Sequence, residues 1–313
     1  MEVLSKMKKG WLLVAIVVSV ITLQGCLTND NEDVYDGYKY LQEDVATLQE
    51  YFEANNIDVT LDSTSGVFYR IDGQGDGYKT VNNVEVEINY QGTSLDGIEF
   101  ANNLGSGPIA FTIGNTETYP ASLTEGVIIG LFKMHEGDTA TIYSPSPYGF
   151  KDETFQTLPP HSILVYKVVF RKIKKLDEEF AKIDQYIAAN NMTASIDSVF
   201  GTRYVRHRKG NNVKIKEKAY VSLKYQGELL DGTVFDSSYE ADGNPLNFTF
   251  LDSNPNNRYL IGFEMGLFHL YENDSATIFV PSIYGYRDKA KNEIPANSTL
   301  VFGVDITRVS NIN

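Results

Sequence analysis

Cysteine is almost missing from this sequence: Cys26 is the only one in 313 residues, so no disulfide can form within the chain. Histidine is scarce as well, and His135, His161, His207 and His269 lack the close spacing of metal ligands, so no metal is expected. Basic charge is in short supply. Against 41 Asp and Glu stand 27 Lys and Arg, and the net charge of −14 has the wrong sign for a phosphate backbone, so nucleic acid is excluded as a partner. No spaced Ser, His and acid set can be read from the order of residues. The glycines Gly73, Gly75 and Gly77 are followed by a strand-like stretch to Val81, with no helix to receive an anion, so they form a loop and not a phosphate cradle. What is abundant is aromatic: 20 Tyr and 17 Phe in a chain 42% hydrophobic and 22% charged, the balance of a folded protein with aromatic-rich sheets.

One apolar run stands out. Lys6, Lys8 and Lys9 precede Trp11 to Leu23, a stretch too short to span a bilayer and suited to a signal-peptide core. It ends in Leu23-Gln24-Gly25-Cys26, which resembles a bacterial lipobox, in which the cysteine is lipidated on its thiol and becomes the first mature residue. Residues 1–26 are therefore expected to be signal peptide and lipobox, with Cys26 the lipidation site and the membrane a partner through that lipid. Cleavage there removes Glu2 and the three lysines and leaves the remainder more acidic. Residues 27–39 read as an acidic tether, with Asp30, Glu32, Asp33 and Asp36. They lack the alternating ligands and closing Glu of a calcium-binding loop.

The rest of the chain is written twice. Glu50-Tyr51-Phe52-Glu53-Ala54-Asn55-Asn56 returns as Gln185-Tyr186-Ile187-Ala188-Ala189-Asn190-Asn191, 135 residues later. Asn89-Tyr90-Gln91-Gly92 returns as Lys224-Tyr225-Gln226-Gly227, and Gly130-Leu131-Phe132 as Gly266-Leu267-Phe268, now 136 residues on. Two tandem domains are expected, at 40–173 and 174–313. Each opens with a helical pattern, Tyr40 to Asn55 and Leu176 to Asn190; Leu176, Phe180, Ile183 and Ile187 fall at helical spacing, and Asn55-Asn56 and Asn190-Asn191 supply C-terminal stops. Val84, Val86 and Ile88, then Val221 and Leu223, alternate with polar residues as strands do. Ile163 to Phe170 and Leu300 to Ile306 read as closing strands, and Leu123 to Met134 and Leu260 to Leu270 as loop-led short helices. Five or so strands around one short helix make an α+β domain, and Arg171-Lys172-Ile173-Lys174-Lys175 forms a short seam between copies.

Three stretches of the second copy resemble the FKBP-type peptidyl-prolyl isomerases: Tyr225-Gln226-Gly227, then Asp231-Gly232-Thr233-Val234-Phe235-Asp236-Ser237-Ser238, then Ile294-Pro295-Ala296-Asn297-Ser298-Thr299-Leu300-Val301-Phe302. The likeness covers roughly 79–170 and 219–309 and leaves the leading helices outside the minimal domain. It implies two tandem FKBP-like domains, each a bent antiparallel β-sheet wrapped around a short α-helix with an aromatic pocket between them. In the second copy the resemblance places Tyr225, Phe235, Asp236, Phe263, Tyr286 and Phe302 at the catalytic positions, with Leu246, Tyr259, Leu260, Tyr284 and Ile294 binding substrate. Phe263 stands where the family commonly has a Trp floor, Asp236 is the polar wall group, and Leu260 offers its backbone N–H. Leu246 replaces an expected aromatic. Either Tyr284 or Tyr286 takes the family's tyrosine position after Pro281, because the loop length differs. In the first copy Tyr90, Phe100, Ile109, Tyr148, Leu158 and Tyr166 keep an apolar pocket, but Ala101 replaces the Asp and Val127 the Trp.

The resemblance implies an enzyme that needs no cofactor and acts on X-Pro bonds of envelope proteins, mainly through the second copy. Its partners are then proline-containing polypeptides. The competing expectation is a non-catalytic chaperone or protein-binding lipoprotein that uses both pockets to hold extended chains, two linked sites gaining effective concentration.

Overall fold

A computed structural model describes residues 35–239 and 243–311. The expected signal segment, Cys26 and the tether as far as residue 34 lie outside the described residues. The first copy runs α1 (Gly37–Asn55), β1 (Thr60–Leu61), β2 (Phe68–Gly73), β3 (Glu85–Ser94), β4 (Glu99–Asn102), β5 (Ile109–Thr112), α2 (Glu125–Leu131), β6 (Thr139–Ser144) and β7 (Leu164–Ile173). The second repeats the order: α3 (Leu176–Ala189), β8 (Ser195–Ile196), β9 (Arg203–Arg208), β10 (Tyr220–Leu229), β11 (Val234–Ser237), β12 (Leu246–Thr249), α4 (Ile261–Leu267), β13 (Ser275–Val280) and β14 (Leu300–Ser310).

Each copy is a seven-stranded antiparallel sheet, in the order β1-β2-β6-β7-β3-β4 and its repeat β8-β9-β13-β14-β10-β11. Seven strands replace the expected five because the two-residue β1 (β8) extends one edge and one flank of the long central strand is divided between two partners. Residues 85–88 of β3 pair with β5 and 91–93 with β4, and β10 divides the same way between β12 and β11. Register shifts at Glu87/Ile88 and Ser222/Leu223 put a bulge in each central pair, which twists the sheet so that it curls around its short helix.

The leading helices bury a stripe at helical spacing: Asp44, Leu48 and Phe52 in α1, and Leu176, Phe180, Ile183 and Ile187 in α3. Both end where the sequence stops them. Asn56 (φ +51°) and Asn191 (φ +52°) turn left-handed, and the next N–H reaches back, from Ile57 to Phe52 O at 2.9 Å and from Met192 to Ile187 O at 3.0 Å. One buried carboxylate on each helix fastens it to its domain. Asp44 accepts from the Ser146 amide at 2.6 Å, while Glu179 accepts from the Ser282 amide and, at 2.7 Å, from its hydroxyl.

The seam is shorter than the sequence suggests. Strand β7 carries Arg171 to Ile173, and only Lys174 and Lys175 separate it from α3. From Gly37 onward the chain is one compact unit, and buried apolar residues of both copies run into a single cluster. The segment before β3 joins the copies directly. Lys79 donates its N–H to Val199 O at 2.9 Å and accepts at its own carbonyl from the Tyr284 hydroxyl at 2.8 Å. The Tyr78 ring meets Phe180 edge-on at 5.2 Å.

Candidate functional site

In the second copy, β10 and the β11 hairpin build one wall. Gly227 of β10 lies opposite Asp236, and a Cβ at Gly227 would sit 2.4 Å from the Phe235 ring. The glycine of the Tyr-Gln-Gly motif is therefore what lets the tip of that ring approach the strand. Phe235 meets Phe302 of β14 edge-on at 5.9 Å, and Phe302 meets Phe263 of α4 at 4.7 Å. Tyr259 reaches toward Phe263 at 6.5 Å and packs on Phe248 at 4.7 Å. Phe263, Ile294 and Phe302 are buried and form the floor, whereas Tyr225, Phe235, Leu246, Leu260 and Tyr286 are half-buried and Tyr259 is 40% exposed. The floor is closed and the rim is open.

The polar group of this site is a pair. The Tyr225 hydroxyl donates to Asp236 Oδ2 at 2.5 Å. Burial, and then the neighbouring carboxylate, push the Tyr225 phenol well above its ordinary range, with smaller contributions from Tyr259 and Tyr286. The hydroxyl thus stays protonated and fixes the carboxylate against the ring wall. Leu260 is the residue ahead of α4, in an extended conformation, and its N–H makes no hydrogen bond among the described residues.

The two candidate tyrosines part company. Tyr286 is half-buried, lies near Tyr225, and carries Lys291 Nζ 4.5 Å from its ring centre. Tyr284 is fully buried; its hydroxyl goes to Lys79 of the first copy and its ring stands edge-on to Phe200 at 5.4 Å. The ring near the Tyr225–Asp236 pair is Tyr286, and Tyr284 is a strut between copies.

The first copy has the same scaffold with the pocket filled. Ala101 lies opposite Gly92 as Asp236 lies opposite Gly227, so the carboxylate position is truly vacated. Without it the Tyr90 hydroxyl bonds to Ser122 Oγ at 2.6 Å. Tyr166, in the place of Phe302, brings a second hydroxyl inside, satisfied by Ser122 O and Thr124 Oγ1, both at 3.1 Å. Phe150 and Phe155, stacked at 4.0 Å, close over Phe100 at 5.6 and 6.0 Å. Tyr90, Phe100, Val127, Leu158 and Tyr166 are all buried, and Ile109 is half-buried at the edge. Tyr148, expected to line this pocket, is set beside Glu125 and Asp62, and the ring that meets Phe100 is Phe150. Phe150 and Phe155 escaped the sequence reading. Phe150 had a signal, since it is the repeat partner of Tyr286, one residue past a shared Tyr-Gly pair.

The family model described as "FKBP-type peptidyl-prolyl cis-trans isomerase" matches residues 77–170 and 211–307, more than half of the chain. The chain belongs to this family. Among curated relatives, the FK506-binding protein 2 of Debaryomyces hansenii is 34% identical over 98 residues, 31% of this chain and 69% of that protein. FkpA of Buchnera aphidicola (subsp. Schizaphis graminum) is 33% identical over 113 residues, 36% of this chain and 42% of that one. FkpA of Aeromonas hydrophila is 32% identical over 133 residues, 42% and 47% of the two chains. The chain thus spans less than half the length of these FkpA relatives. Among solved structures, Escherichia coli FkpA aligns at 27% identity over 44% of this chain and 62% of that one, with a TM-score of 0.36. The three FKBP domains of wheat FKBP73 align at 18% identity over 80% and 98%, with a TM-score of 0.33.

An FKBP pocket of this kind suits one chemistry. Rotation about an X-Pro amide must break resonance, a barrier of about 18–20 kcal/mol, and unaided exchange takes tens of seconds or longer. No bond is made or cleaved, so no nucleophile is called for. The twisted amide has lost much of its charge separation, and an apolar cavity favours it over the planar form, while a few hydrogen bonds hold the chain in place. A hundredfold acceleration requires about 2.7 kcal/mol, within reach of aromatic walls and one or two polar contacts. Among the described residues no group of three or more His, Cys, Asp or Glu could hold a metal.

Proposed function

We propose that the second copy isomerises X-Pro bonds of envelope proteins and that the first is a brace without catalytic activity of its own. The observation that carries this reading is the Tyr225–Asp236 pair at 2.5 Å on the wall of an open aromatic pocket. Proline enters over Phe263 and Phe302, and the unbonded Leu260 N–H takes a peptide carbonyl. Tyr286, Tyr259 and Leu246 flank the chain. The signal-like segment and Cys26 supply the envelope part: a lipid on that thiol holds the tether and both copies at a bacterial membrane. The filled first pocket favours this division of labour over a chaperone with two equal sites, because Tyr90 and Phe100 are buried where their counterparts Tyr225 and Phe235 are half-buried.

The test is the cis-to-trans exchange rate of a proline tetrapeptide with the full-length chain. Wild type is expected to accelerate exchange, and Tyr225→Phe, which removes the donor to Asp236, to lower kcat/KM by about three- to tenfold. A folded wild type that leaves the exchange rate at its unaided value would sink the proposal.

A further inference from the structure

We infer that the second pocket continues into a basic groove shared between the two copies, and that this groove selects peptides with an acidic side chain next to the proline. This rests on the isomerase reading and names the substrate class of that same site. The groove encloses about 560 Å³ and is bordered by Tyr259, Leu260 and Tyr286, all pocket residues, together with Val81 of the first copy. A peptide leaving the pocket along these residues therefore enters it.

Its charge is one-sided. Arg258, Arg287, Lys289 and Lys291 line it, and no carboxylate does among the described residues. Arg258 is neutralised by the buried Glu264 at 2.7 Å, but Arg287, Lys289 and Lys291 make no ion pair among the described residues. The Arg287 Nε is buried without a hydrogen-bond partner among the described residues, and burial lowers the affinity of that guanidinium for its proton. Asp288, the carboxylate next in sequence, borders the neighbouring groove with Glu179 and Ser282. Lys291 is held over the Tyr286 ring, which sets a cation at the mouth of the pocket. In a chain of net charge −14, Lys289 and Lys291, with Arg287 partly offset by Asp288, leave a net positive local field, and a carboxylate on the bound peptide answers it. Continuity with the peptide pocket makes the occupant an extended acidic polypeptide and not an anionic lipid surface.

The experiment measures binding by the full-length chain of three dye-labelled, end-capped pentapeptides, with Glu-Pro-Glu, Gln-Pro-Gln or Lys-Pro-Lys at the centre, and exchange rates for the same peptides. At low salt the glutamate peptide is expected to bind about fivefold or more tightly than the lysine peptide, the gap narrowing at about 0.5 M salt. The double variant Lys289→Glu/Lys291→Glu is expected to reverse the order, and Val81→Glu, a change in the first copy, to weaken the glutamate peptide alone. Equal affinities in wild type, or an order unmoved by the double variant, would overturn the inference. So would tighter adhesion to anionic vesicles that displaces the peptide. Accelerated exchange without a charge preference defeats the groove and leaves the isomerase standing. A charge preference in binding without accelerated exchange does the reverse.

Discussion

The two copies carry one fold and treat its central cavity in opposite ways. Position for position, Tyr90 and Tyr225 sit on the same strand opposite the same hairpin, yet one hydroxyl turns to Ser122 and the other to Asp236. The difference begins at Ala101 and Asp236. Remove the carboxylate and the tyrosine must find another acceptor, because a buried hydroxyl left unbonded costs about 1–3 kcal/mol. It finds one inside the cavity, where Tyr166 also needs Ser122 and Thr124. The loop then folds Phe150 and Phe155 over Phe100, and a binding pocket becomes core. In the second copy Phe302 brings no hydroxyl, the loop holds Tyr286 at the rim, and the space stays open. The first copy meets the second at its outer surface, where Lys79 bonds to Val199 and Tyr284 and Val81 borders the groove beside Tyr259 and Tyr286.

If the first pocket is core and the second is a site, equivalent truncations must cost differently. Phe100→Ala removes a ring that is 6% exposed and is expected to destabilise the fold by about 3–5 kcal/mol. Phe235→Ala removes a half-buried ring and is expected to cost about half as much, with its main effect on peptide affinity. Denaturant midpoints of the two variants at constant slope decide this; equal losses would break the comparison.

A smaller effect compares how the leading helices are fastened. Burial raises the affinity of the Asp44 and Glu179 carboxyls for protons, against the opposing hydrogen bonds from Ser146 and Ser282. With folded-state pKa values above the unfolded ones, both groups stabilise the fold most below the ordinary carboxylate range, and that contribution fades as pH rises through the raised values. Glu179→Gln removes the titration, so the stability of the variant relative to wild type is expected to improve steadily across this window. The same direction is expected for Asp44→Asn, since burial raises the pKa of the Asp44 carboxyl against the opposing hydrogen bonds from Ser146. Parallel pH curves for wild type and Glu179→Gln would contradict the shift.

Much of this was legible in the residues. The repeat, the two leading helices and their asparagine stops follow from local spacing and from the left-handed conformation that Asn tolerates. Asp236 and Phe302 stand inside the stretches that resemble the family, with Phe263 between them on the expected short helix, and the fold brings Phe302 against Phe235 and Phe263. The choice between Tyr284 and Tyr286 was not legible. Both flank Gly285, and only the docking of Lys79, more than 200 residues earlier, claims Tyr284 for the interface. Likewise the closing of the first pocket depends on where the loop carrying Phe150 and Phe155 folds back, a long-range event with no periodic trace. Val81 in the second groove leaves no sequence signal at all, because packing between copies follows neither helical nor strand spacing.

The most direct test of the division between copies is the exchange rate of a proline peptide in wild type, Asp236→Ala and Ala101→Asp, each in the full-length chain. Asp236→Ala is expected to lose about tenfold or more in kcat/KM, and Ala101→Asp to gain nothing, because its new carboxylate faces a pocket already filled by aromatic rings. Activity that survives Asp236→Ala and rises in Ala101→Asp would place catalysis in the first copy and contradict that division.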